Sequence, residues 1–284
     1  MKVKHSKTLL VCFILIFCCV IFARSFQFRM SDQEVYDYFE DQNGVSVEHI
    51  LVEETDIRFL WMDNGKEKTI FFVHGAPGSA TEFISFFAER KLTNKFNLLS
   101  LDRPGYGYSD FGHFKVDLKD QARCLAEIIK SLQLDNVILV GHSLGAPIAI
   151  RGAVDYPELF QGLVLVGASM DPDLEPKEWY RPWLRNWLCQ IVLPTSLYGT
   201  NEEIYHLKPQ LKELTPSLGQ LELPILAVHG SDDTLVPKEN IDYLEKYLIS
   251  SEFEVWLESG VDHFIPWNRP DLMIDGILKL NEKL

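Results

Sequence analysis

Val137-Ile138-Leu139-Val140-Gly141-His142-Ser143-Leu144-Gly145-Ala146 is the stretch on which the reading of this chain turns. The apolar run Val137–Val140 reads as a strand buried on both faces, and Pro147–Val154 continues as a helix. Between them lies Gly141-His142-Ser143-Leu144-Gly145, a G-x-S-x-G pentapeptide in the strand–turn–helix setting that gives the pattern meaning. A serine on so sharp a turn takes strained backbone angles, and the flanking glycines remove side chains that would clash. The turn lifts the Ser143 hydroxyl above the carboxyl edge of the sheet, at the head of a helix whose N-terminus favours developing negative charge.

Outward from that turn the chain alternates between two periodicities. Ile70–Val73, Leu98–Leu101, Leu163–Val166 and Ile225–Val228 are further short apolar runs with the look of doubly buried strands. Asp117 can cap a helix whose apolar residues Leu118, Ala122, Leu125, Ile129 and Leu132 follow a 3.6 spacing. Pro270 suits a first helical turn, with Met273, Ile277, Leu280 and Leu284 recurring behind it. Val45–Glu53 and Ile57–Asp63 alternate instead and predict an antiparallel pair. The expected class is α/β, with a mostly parallel twisted sheet covered by helices on both faces.

A serine hydroxyl needs a base near neutral pH. In this motif setting the partners follow in the order serine, acid, histidine. After the strand Ile225–Val228 come Asp232 and Asp233, and the one histidine beyond them is His263. Order alone therefore selects His263 as the base and leaves two acids open. Leu144 N–H supplies one donor for an oxyanion, and the loop His74-Gly75-Ala76-Pro77-Gly78-Ser79 offers Ala76 N–H as the second. His74 reads as a structural hydrogen-bonding residue, His142 and His229 as packing residues, and Asp262 as a solvated neighbour of the base.

With these residues in place, the chain resembles the α/β-hydrolase fold superfamily. The likeness rests on His74–Ser79, Asp102-Arg103-Pro104-Gly105-Tyr106-Gly107-Tyr108-Ser109, the turn at Ser143, Asp233 and His263, and spans roughly residues 45–284. It implies Ser143 as nucleophile, His263 as base and Asp233 rather than Asp232 as acid, because Gly230, Asp233, Val236 and Pro237 match the family's spacing. It also implies that the Asp102–Ser109 turn shapes the mouth of the site without reacting. The expected activity is hydrolysis of a small ester or amide through an acyl-enzyme, with no cofactor and no metal. The alternatives are a proline-iminopeptidase-like peptidase, a C–C hydrolase using the same triad, and a non-catalytic binding module of the same fold. Ser143 stands where epoxide hydrolases and haloalkane dehalogenases carry aspartate, which sets those two apart.

The segment from about residue 171 to 220 breaks the alternation and predicts a short helical lid. In it Trp179, Trp183 and Trp187, spaced by four, predict one face of a helix, either packed on the domain or roofing a substrate pocket.

The 284 residues carry 27 basic and 41 acidic side chains, a formal charge of −14, so no basic footprint for nucleic acid exists. The N-terminus has a separate pattern. Lys2, Lys4 and Lys7 precede an unbroken apolar run from Leu9 to Ala23, and Arg24 follows. As a helix this run spans about 22 Å, short of a bilayer core of roughly 30 Å. Residues 1–24 are expected to be a signal peptide or an uncleaved membrane anchor through residues 8–23, with the hydrolase domain at 25–284 exported. Of the five cysteines only Cys124 and Cys189 lie in the body, where two unpaired thiols are expected.

Overall fold

The structure is a computed structural model that describes residues 27–39 and 44–284, together with Cys18 and Ile21. The expected leader or anchor thus lies almost wholly outside the described residues. Among the described residues no helix is long and apolar enough to cross a membrane.

The apolar runs form the centre of an eight-stranded sheet in the order β1-β2-β4-β3-β5-β6-β7-β8. Val45–Val52 (β1) and Thr55–Met62 (β2) pair antiparallel, and β2 also runs antiparallel to Asn97–Leu101 (β4). Thr69–Val73 (β3), Val137–His142 (β5), Phe160–Val166 (β6), Ile225–Gly230 (β7) and Phe253–Glu258 (β8) complete a parallel array with β4. Every residue of β3, β4, β5 and β7 is buried, as uninterrupted apolar runs require.

One face packs on helices Leu118–Ser131, Gly145–Asp155 and Thr195–Leu218, and the other on the 3₁₀ segment Ala80–Ala88 and helix Pro270–Asn281. Asp117 caps its helix through the Lys119 amide at 2.8 Å, as its position predicts. Strand β8 is absent from the sequence reading. Its pattern Phe253-Glu254-Val255-Trp256-Leu257-Glu258 alternates at the sheet edge and is only half-buried, so it lacks the apolar run that marks its neighbours.

The lid differs from the sequence expectation. The three tryptophans do not share one helix, because helix Arg181–Leu184 ends at Arg185 and a second, Trp187–Val192, restarts from an Asn186 cap that bonds the Leu188 and Cys189 amides. Trp179 precedes both. Cys124 is buried and Cys189 partly so; neither is paired, and burial pushes the Cys124 thiol up to about 12.

Candidate active site

The carboxyl ends of β3, β5, β6, β7 and β8 converge where the sequence places its chemistry. At the end of β5, Ser143 adopts φ +53°, a left-handed conformation that costs a non-glycine residue energy. The amide of Ser143 is held by the Val166 carbonyl at 2.8 Å. A Cβ on Gly145 would lie 2.2 Å from the Val73 carbonyl oxygen, and one on Gly141 would lie 2.5 Å from the Gly145 oxygen. Both glycines are therefore demanded by close backbone approach.

His263 follows β8, in a loop where the Asp262 carboxylate accepts from the Phe264 amide at 2.9 Å and from the Asn268 side chain. Asp262 is thus a local brace for the loop that presents the imidazole. His263 Nδ1 lies 2.6 Å from Asp233 Oδ2, an arrangement in which Nδ1–H donates and leaves Nε2 as the basic nitrogen. The other Asp233 oxygen accepts from the Leu235 and Val236 amides at 2.9 and 2.8 Å. Burial pushes the Asp233 carboxyl up, but His263 and the Val236 amide outweigh it and hold the group below its ordinary value. Asp232, the other acid left open by chain order, is exposed and accepts from Ser231. His229 sits behind Asp233, with its Nε2 donating to the Val236 carbonyl at 3.0 Å.

Ser143, His263, Ala76 and Leu144 all line one cavity of about 870 Å³. Neither the Ala76 nor the Leu144 amide has a protein acceptor among the described residues, so both are available to an oxygen anion in that cavity. The aim of the Ala76 amide has an identifiable cause. His74 Nε2 accepts from the Arg103 amide at 3.0 Å, so Nδ1–H donates to the Gly75 carbonyl at 2.6 Å. Arg103 Nη2 donates to the same oxygen at 2.9 Å. In a trans peptide the C=O and N–H point opposite ways, so fixing Gly75 O from behind turns Ala76 N–H forward. Burial, with Arg103 beside it, keeps His74 well below its ordinary value and hence neutral, as one donor and one acceptor require.

Three residues of this scaffold, Gln121, Glu203 and Glu82, escape the sequence reading. Arg103 makes two bonds to Glu203 on the lid helix, at 2.5 and 3.1 Å, and Tyr106 and Gln121 close the network at 2.7 and 2.8 Å. Residues 102–109 therefore brace the oxyanion loop and tether the lid; none of them lines the cavity, contrary to the expected role at its mouth. Glu203 lies 100 residues from Arg103, and nothing in its own surroundings marks it. Glu82 had a signal that pointed elsewhere: Ser79-Ala80-Thr81-Glu82 has the spacing of a capping box. Its carboxylate turns instead to His142 Nδ1 at 2.6 Å. His142 Nε2 faces the His263 carbonyl at 3.1 Å. With an acceptor on each nitrogen, the His142 ring is held as the cation. Burial opposes that charge, and the adjacent Glu82 carboxylate overcomes it, raising the His142 pKa. His142 is thus a charged part of the wall, its ring 4.9 Å from that of His263, and not mere packing.

The remaining lining is mainly apolar, including Phe28, Pro176, Leu197, Ile204, Leu207 and Trp267. Polar groups are few. Glu178 pairs with Arg181 at 2.7 Å, and Glu175, whose carboxyl burial pushes up, accepts from the Ser169 hydroxyl. Trp179, Trp183 and Trp187 are not part of the lining; they are 80%, 71% and 72% exposed. Both expectations for them fail together: they neither roof the cavity nor pack on the domain. Their neighbours Glu175, Pro176, Glu178 and Arg181 form the roof instead. Among the described residues no three His, Cys, Asp or Glu side chains come together as a metal site.

Comparison with known proteins bears on the fold. Residues 68–188 match the family model described as alpha/beta hydrolase fold. The chain is 25% identical over 266 residues to the uncharacterized hydrolase YugF of Bacillus subtilis (strain 168), covering 81% of this chain and 96% of that protein. It is 24% identical over 262 residues to a 2-hydroxy-6-oxononadienedioate/2-hydroxy-6-oxononatrienedioate hydrolase of Paraburkholderia phymatum, covering 78% and 90%. Among solved structures, a bromoperoxidase from Bacillus anthracis superposes with a TM-score of 0.67 at 19% identity, over 84% of this chain and all of that one.

Proposed function

Because the chain belongs to the α/β-hydrolase fold superfamily and is a hydrolase of that type, we propose that it is a serine hydrolase cleaving carboxylic esters with a substantial apolar part, through an acyl-enzyme. The observation that carries this reading is the His263–Asp233 bond of 2.6 Å on the wall of the cavity into which Ser143 opens.

In this mechanism His263 Nε2 takes the Ser143 proton as Oγ attacks the ester carbonyl carbon. The Ala76 and Leu144 amides receive the oxyanion, each such donor being typically worth about 3 kcal/mol in the transition state. The protonated imidazole, steadied by Asp233, returns its proton to the leaving alcohol, and the acyl group stays on Ser143. Water, deprotonated by the same imidazole, then releases the acid and restores the hydroxyl.

The lining supports an uncharged, largely apolar substrate. Among the described residues Arg181 is its only Arg or Lys and is already paired with Glu178, His142 is paired with Glu82, and Glu175 adds a third carboxyl. A substrate with two carboxylates, such as the name of the Paraburkholderia relative indicates for that protein, would meet repulsion here with no free cation to offset it. This weighs against the C–C hydrolase alternative.

A fluorophosphonate probe tests the nucleophile: it labels the wild type, and Ser143→Ala removes the label. Turnover of p-nitrophenyl esters, set against peptide amides and 1,3-diketones, tests the substrate class. Cleavage of the diketones alone would overturn the ester reading.

A further inference from the structure

The rim of the cavity and the outer face of the lid are apolar where a protein bathed in water would be polar. Five residues that line the cavity also stand exposed at its edge: Phe28, Leu197, Leu235, Phe264 and Trp267. Beside Leu197 along the chain runs the exposed strip of Trp179, Trp183 and Trp187, with Leu188 and Val192. Large exposed apolar patches mark interaction surfaces, and tryptophan, apolar with one polar N–H, favours the boundary between lipid headgroups and acyl chains.

Two observations identify the occupant. The apolar run Leu9–Ala23 ends five residues before Phe28, so even an extended chain keeps the rim within about 18 Å of the end of that run. The lid strip also departs from the charge of the whole: Arg181 pairs with Glu178 and Arg185 with Glu202, so with Lys177 the strip is close to neutral on a chain of −14. The acidic body is repelled by anionic surfaces, whereas a near-neutral strip rich in tryptophan suits zwitterionic headgroups.

We infer that the lid tryptophans and the cavity rim dock on a phospholipid bilayer of zwitterionic headgroups, so that the site draws amphiphilic esters from the lipid phase. The inference deepens, and for its substrate rests on, the ester-hydrolase reading. The N-terminal run tethers the chain, and the lid sets its orientation, with the mouth towards the lipid. An ester with a long acyl or alkyl chain then enters over Phe28 and Leu197 without crossing water.

The test uses the full chain inserted by its own N-terminal run into phosphatidylcholine vesicles, with lipids brominated near the carbonyl end of one acyl chain. Bromine quenches tryptophan only at close contact. The three lid residues and Trp267 on the rim are four of the chain's six tryptophans, so docking removes up to about two-thirds of the emission, and a chain that does not dock withdraws Trp267 too. In the triple variant Trp179→Ser/Trp183→Ser/Trp187→Ser, little of the remaining emission is quenched. The same variant hydrolyses a vesicle-borne long-chain ester about tenfold more slowly or worse, while turnover of a water-soluble p-nitrophenyl ester stays at the wild-type level and reports a folded site. Wild-type emission insensitive to brominated lipid overturns the docking, as does equal hydrolysis of the vesicle-borne ester by both chains. Quenched lid tryptophans in a chain that hydrolyses no ester leave the docking standing and overturn only the ester reading.

Discussion

Each member of the site has a separable task, and substitution distinguishes them. Ser143→Ala leaves no nucleophile and is expected to lower kcat by about 10⁶-fold; Asp233→Asn keeps the shape but loses the anchor for Nδ1–H and costs about 10⁴-fold, both read from steady-state ester hydrolysis. Glu82 acts at one remove. His142 has a raised pKa, so its charge contributes stability fully below its unfolded value, and that contribution is lost as pH rises through the folded one. Glu82→Gln is therefore expected to flatten the loss of stability on the alkaline side, as followed by denaturant midpoints from about pH 6 to 9. Asp233 has the opposite sign. Its lowered pKa gives stability that is present above the ordinary carboxylate range and lost as pH falls through the folded value. That Ser143, His263, Ala76 and Leu144 share one cavity was legible because their positions follow from chain order and from a turn with its own glycine signature. Glu82 was not, since a side chain at cap spacing can satisfy either its own helix or a neighbour, and only tertiary packing decides.

At the scale of elements, the strands were readable because both faces are buried, leaving apolar runs such as Ile225–Val228 that no surface segment sustains. The half-buried edge strand β8 and the broken lid were not. The tryptophan spacing promised one helix, but Asn186 offers the backbone a better partner and restarts the chain. Two substitutions probe how the elements meet. Gly145→Ala drives a methyl against the Val73 carbonyl and is expected to cost about 3 kcal/mol or more in urea unfolding. Glu203→Ala strips the lid of its tether and strands a buried guanidinium, which costs about 3–5 kcal/mol. Because Arg103 also holds Gly75 O, the same change is expected to lower kcat for soluble esters although Glu203 lines no part of the cavity.

For the molecule as a whole, 41 acidic against 27 basic residues make self-repulsion a persistent cost of compactness. Raising ionic strength from about 0.01 to 0.15 M shortens the screening length from about 30 to 8 Å, so the melting temperature is expected to rise with added sodium chloride at pH 7. A fall in melting temperature would mean that favourable ion pairs outweigh the net charge. Periodicity along the chain pointed to the fold class and composition offered no basic footprint for nucleic acid, but neither sees the clamp that joins the two halves of the site. One guanidinium, that of Arg103, grips the roof through Glu203 and the floor of the cavity through Gly75. Chimaeras that graft a foreign roof onto this chassis should therefore fail or succeed on a single criterion: whether the donor segment brings an acid to the place of Glu203.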